Sequence, residues 1–236
     1  MRQATVKTSL LALCTAASLL IATVAGAALV KVTVGGKNLD IPLPAGFVDT
    51  ATAAPQLKQL GEKQFVSEGS RLLVYGVEQT GLERLKKGQS IPLQHYLQVQ
   101  VPKQLEEASA TPADFAELKK VVVQQNAALG KPESKLGALS KGKLGELVDA
   151  QAKQVQPGAP LTLGVLRDDE RSYTVLTLSR FETKAGKNPT VYVLTATSYV
   201  LFKDKLLHFY LYADYLKPAD AEWLRETSDA WLKAAL

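Results

Sequence analysis

The sequence has few of the residues from which catalytic and metal sites are most often built. It holds one cysteine, Cys14, and two histidines, His95 and His208. A lone cysteine cannot close an intrachain disulfide, and Cys14 sits in an apolar N-terminal run rather than near another ligand. "LALC" brushes against a lipobox, but Leu13 stands where a small residue is wanted. A zinc site without cysteine would need both histidines plus carboxylates. Neither histidine has a second ligand at i+3 or i+4, and no HExxH occurs. No G-x-S-x-G elbow, P-loop or dinucleotide fingerprint is present, so neither a metal nor a cofactor is expected. No catalytic residue is assigned. A histidine–serine–acid triad can be assembled on paper from His208, Ser198 or Ser179, and Asp214, because triads are defined by geometry. That leaves a hydrolase using His208 and Asp214 as an alternative.

Other signals also read as ordinary. Asp168, Asp169 and Glu170 lack the alternating oxygen ligands and the glycine of a calcium loop, and read as a charged hairpin tip. The triplet Asn188-Pro189-Thr190 has proline where glycosylation forbids it. The chain carries +5, and removing Arg2 and Lys7 with a leader leaves +3. The one basic cluster, Arg84, Lys86 and Lys87, is too short for a polyanion groove, so no nucleic-acid partner is expected.

What is present begins at the N-terminus. "MRQATVK" is basic, and Thr8 to Val30 carries no charge. A basic start, an apolar run and a small-residue exit at Ala25 and Ala27 are the marks of a secretory signal, 1–27, cut before Ala28. The alternative is an uncleaved inner-membrane anchor at 8–30, since the run is long enough to span a bilayer core of roughly 30 Å. Either reading places the body, 28–236, outside the cytoplasm as one periplasmic or secreted domain. Its size, roughly two hundred residues, suffices for a core without disulfides.

Along the body, "KVTVGGKNLDIPLP" predicts a hairpin turning at Gly35-Gly36, and Arg71–Glu78 a strand. A short helix is expected around Gln56–Leu60. Ser90 and Pro92 predict a helix through His95 that Pro102 kinks. Thr111 caps a second helix running to Gly130. The segment near 130–160, rich in Gly, Lys and Pro, reads as a mobile connection with a helical turn around Lys143–Lys153. From Leu161 four strand-like runs joined by polar turns predict an antiparallel meander. A closing helix follows, with Trp223, Thr227, Ala230, Trp231 and Ala234 on one face.

In the last strand, "LLHFYLYADYL", His208, Tyr210, Tyr212 and Asp214 share a side. Tyr192 and Tyr199 come from the strand expected beside it. Aromatic residues with polar ends suit binding surfaces, which makes these six the candidate binding residues. The competing reading, favoured by helices before and after the sheet, is that this face is covered and the tyrosines are core.

The order of parts, from "IPLPAGF" through "RSYTVLTLSRFE" and "TVYVLTATSYVLFKDKLLHFYLYADYL" to "ADAEWLRETSDAWL", resembles the PsbP-like fold. That resemblance implies an α+β protein, an antiparallel sheet flanked by helices as an α/β/α sandwich. It also implies service as a binding or assembly module without catalysis, by analogy of fold. The function expected is therefore a non-catalytic exported protein that binds an envelope protein or other envelope component. A small-ligand carrier is a further alternative.

Overall fold

The computed structural model describes residues 28–89, 93–127, 135–182 and 190–236. The leader 1–27 with its cut site, and Ser90 and Pro92, lie outside them. The chain opens with β1 (Leu29–Val34) and β2 (Lys37–Pro42), paired antiparallel through the Gly35-Gly36 turn as the sequence predicts. Both glycines have positive φ, and a Cβ on Gly35 would lie 2.2 Å from the Glu106 carbonyl oxygen. Then come β3 (Phe47–Asp49), α1 (Thr50–Ala53), α2 (Pro55–Phe65), β4 (Ser70–Glu78), α3 (Gln79–Lys86) and β5 (His95–Pro102). After a 3-10 turn follow α4 (Pro112–Ala127), α5 (Lys143–Ala152), β6 (Leu161–Asp168), β7 (Ser172–Glu182), β8 (Thr190–Phe202), β9 (Lys205–Asp214) and α6 (Pro218–Ala235). Among the described residues no helix is long and apolar enough to cross a membrane.

The main sheet has seven strands in the order β3-β4-β5-β9-β8-β7-β6, every neighbouring pair antiparallel. The fold is α+β with a large antiparallel sheet, as expected, and its last four strands form the predicted meander. The helix expected through His95 is instead the interior strand β5. Leu97, Val99 and Val101 alternate onto one face, while Tyr96, Gln98 and Gln100 go to the other. That period of two outweighs the helix-start signals at Ser90 and Pro92, because it matches a strand that sends an apolar row to the core and a polar and aromatic row to the other face.

On one face α6 lies against β8 and β9. Leu207, Phe209, Leu211 and Ala213, at most 1 % exposed, meet Leu224, Trp231 and Leu232 there. Each such buried aliphatic or aromatic side chain stabilises the fold by about 1.5–3 kcal/mol. The Trp231 indole N–H donates to the Pro42 carbonyl at 2.6 Å and ties the first hairpin to the last helix. The buried face of α6 is not the expected one: Ala221, Leu224, Ser228, Trp231 and Leu232 are buried, while Ala230 and Ala234 face outward. Polar groups with structural work are buried alongside them. Asp220 accepts the Leu216 and Lys217 N–H groups at 2.9 Å each. Glu222 accepts from the Gly142 and Leu144 N–H groups at the start of α5 and pairs with Arg225 at 2.6 Å.

The stretch read as a connection contributes Leu136, Leu144, Val148 and Val155 to this same core. There α5 touches α6 so closely that a Cβ on Gly145 would sit 2.5 Å from the Pro218 Cβ. On the opposite face two smaller clusters form. Phe115 and Val122 of α4 cover Val165, Tyr173, Val175 and Leu201. Leu57 of α2 and Leu82 of α3 pack at Leu72, Tyr75 and Val77. Thr111 caps α4 reciprocally with Asp114, as the sequence indicates. Between these clusters the middle of the sheet carries no closely packed helix among the described residues.

Candidate functional site

The middle strip between these two clusters is built by register. On β9, His208, Tyr210 and Tyr212 stand on this face because Leu207, Phe209 and Leu211 point to α6. Pairing with β5 sets Gln100, Gln98 and Tyr96 beside them in that order. Pairing with β8 adds Tyr199, Thr197 and Thr195.

The rings meet in a continuous ladder. Phe65 at the end of α2 lies 5.7 Å from Tyr96. Tyr96 and Tyr212 stack at 4.4 Å and 10°. Tyr212 and Tyr210 follow at 6.2 Å, then Tyr210 and His208 edge to face at 6.1 Å. His208 and Tyr199 end the series, edge to face at 4.9 Å. Offset and edge-to-face rings within this range attract each other beyond their buried area.

The electrostatics of the ladder are those of neutral groups. Burial pushes the Tyr210 hydroxyl up to about 12, and raises Tyr96 and Tyr212 further still. Burial also pushes His208 down to about 4, because desolvation disfavours the charged imidazolium. Its Nδ1 lies 3.3 Å from the Tyr210 hydroxyl. The Gln100 amide donates to Gln98 Oε1 at 2.6 Å, both side chains being buried. Gln98 Nε2 has no partner among the described residues.

Four of the six expected residues gather here: His208, Tyr210, Tyr212 and Tyr199. Asp214 shares the face but stands six residues along β9 from His208, about 20 Å at strand rise. Burial raises its carboxyl, with the nearby His95 acting against that shift. Tyr192 is on the other face, packed against the α6 core, because seven residues separate it from Tyr199 and an odd step reverses the face.

The paper triad does not assemble. Ser198 points to the α6 side and hydrogen-bonds Thr174 at 2.9 Å. Ser179 aligns through Val193 with Asp214, at the far end from His208. His95, expected in a helix, stacks on Trp223 of α6 at 3.7 Å, with Nδ1 2.8 Å from Glu78 Oε1. Among the described residues no group of three His, Cys, Asp or Glu is arranged for a metal.

Sequence reasoning missed Tyr96, Gln98 and Gln100, the whole contribution of β5 to the strip. Their signal was the Tyr-x-Gln-x-Gln alternation between Leu97, Val99 and Val101. What the arrangement offers is flat π-faces and edges, hydroxyls and amides, with no acid beside the one imidazole.

In comparison with known proteins, no family model, no curated protein and no solved structure matches this chain.

Proposed function

We propose that this chain is a non-catalytic exported protein that binds an envelope protein or other envelope component through the ring ladder. The observation that carries the reading is the composition of the strip. Six rings run unbroken from Phe65 to Tyr199 beside neutral amides and hydroxyls, and between α2 at Phe65 and α4 at Tyr199 no helix among the described residues packs closely on them. Tyrosines with an apolar body and a polar tip are enriched where one protein meets another. Export rests on the basic, then apolar, then small-residue pattern of 1–27, and the periplasm is the compartment that pattern suits. The resemblance to PsbP-like proteins belongs to the same proposal and rests on the order of elements. The hydrolase alternative finds little support, since about 20 Å separates His208 from Asp214.

The test is in-cell photo-crosslinking from a benzoylphenylalanine placed at Thr197 or at Tyr210, with the exposed Phe181 near the end of β7 as control. One dominant envelope adduct from both strip positions and none from Phe181 is the expected result. Adducts independent of position would overturn the reading, as would a turnover by the purified protein that His208→Ala removes without unfolding it.

A further inference from the structure

The ladder ends at a cleft. It opens between α4 and the ends of β4 and β5, with a volume of about 370 Å³. Tyr199 and His208 form its floor, and Leu105, Leu118, Val121 and Val122 its walls. The Gln104 and Gln125 amides and the Ser67 and Ser70 hydroxyls stand at its mouth. Among the described residues its lining holds no lysine, arginine, aspartate or glutamate. The nearest ion pair, Arg71 with Glu106, is satisfied internally: the guanidinium donates to both carboxylate oxygens and to the Thr33 carbonyl. Val121 remains about half exposed at the edge of the cleft (49 %), although it is apolar and on a helix that buries Phe115 and Val122.

These features select a ligand. Small-molecule sites are concave and mostly apolar, with a few placed polar groups that set orientation. A charged ligand entering here would lose its hydration and find no opposite charge in return. An uncharged molecule with a flat ring loses little and gains the edge-to-face pair at the floor.

We infer that the cleft between α4 and the β4–β5 ends is a binding site for an uncharged, ring-bearing apolar small molecule, held over Tyr199 and His208 with its polar end toward Gln104 and Gln125. The site shares Tyr199 and His208 with the end of the ladder but not its middle. A partner held along Tyr210, Tyr212 and Tyr96 does not need the cleft empty, so each reading can fail alone.

The test uses a matched pair of fluorescent probes on the full body of the protein, 28–236. N-phenylnaphthylamine is uncharged, and anilinonaphthalene sulfonate is the same ring system with an added anionic group. Titration of the uncharged probe should saturate at one site per chain. Val121→Trp, which fills the cleft from an exposed position, should weaken it by at least about tenfold. Val123→Trp, on the neighbouring groove toward β6, should leave it unchanged, and circular dichroism should show both variants folded. The sulfonate should bind at least about tenfold more weakly than its uncharged twin. No saturable binding of the uncharged probe overturns the site. So does equal binding by wild type and Val121→Trp, or an effect of Val123→Trp as large as that of Val121→Trp. Equal, Val121-dependent binding of the sulfonate overturns the assigned ligand class. Photo-crosslinking at Thr197 and Tyr210 that survives Val121→Trp separates any of these failures from the fate of the partner reading.

Discussion

Tyr96 and Tyr212 stack face to face across the pairing of β5 with β9, 4.4 Å apart and 10° from parallel. One ring belongs to the first half of the chain and the other to the last strand, so their contact joins the two halves of the sheet. A double-mutant cycle should read this directly. Tyr96→Ala and Tyr212→Ala should each lower unfolding stability by about 2–3 kcal/mol. Together they should lose about 1 kcal/mol less than the sum, the share that belongs to the stacked pair. Urea unfolding of the four proteins measures it, and strict additivity would remove the pairwise attraction.

His208 makes stability depend on pH in a set direction. Its folded pKa, pushed down to about 4, lies below its ordinary value of 6.5, so the unfolded chain takes up the proton first. The stability this residue contributes is present above about pH 6.5 and is lost as pH falls toward 4. Between pH 7 and pH 5 the wild type should lose roughly 2 kcal/mol more than His208→Gln does. Parallel curves for the two proteins would mean that the imidazole titrates no differently when folded.

Glu222 is held by three groups at once: the Gly142 and Leu144 N–H groups and the Arg225 guanidinium. Glu222→Gln leaves Arg225 without its charge partner at a site where both side chains are largely buried. The cost should be about 3 kcal/mol. Amide hydrogen exchange should rise first in α5, whose N-terminal N–H groups exchange a carboxylate acceptor for a weaker neutral amide oxygen.

Lys205 is 3 % exposed, with its ammonium donating to the Glu106 and Ala108 carbonyls at 2.9 Å each. Lys205→Met keeps the stem and deletes the donor, leaving two carbonyls short of a partner beneath the Gly35 turn. A loss of about 2–3 kcal/mol is expected. The midpoint of urea unfolding should fall with the slope unchanged. An unshifted midpoint would show that water replaces the ammonium without loss.

The sequence was legible where local chemistry agrees with the final environment. Gly35-Gly36, the Thr111–Asp114 cap and the β-branched runs after Leu161 say in sequence what they do in the fold. It was misleading where a local start signal competed with a strand period, as Ser90 and Pro92 did with Leu97, Val99 and Val101. The inward face of α6 was displaced because Asp220 and Glu222 are buried for their hydrogen bonds, which hydropathy alone does not anticipate. For the strip, parity along β9 correctly grouped His208, Tyr210 and Tyr212. It could not supply Tyr96 from a segment read as helix. Nor could it convey that residues on one face, such as His208 and Asp214, stand too far apart to act together.

The position of β9 between β5 and β8 also sets an order of events. A chain made from its N-terminus completes β3, β4 and β5 long before β9 exists. Through that interval β5 has a bare inner edge, the kind of edge that recruits stray strands. Its natural occupant is the last strand to be made, and when that strand docks it brings Tyr212 onto Tyr96. The aromatic surface thus forms only on completion: a truncated or half-folded chain has no Tyr96–Tyr212 stack and no continuous ladder.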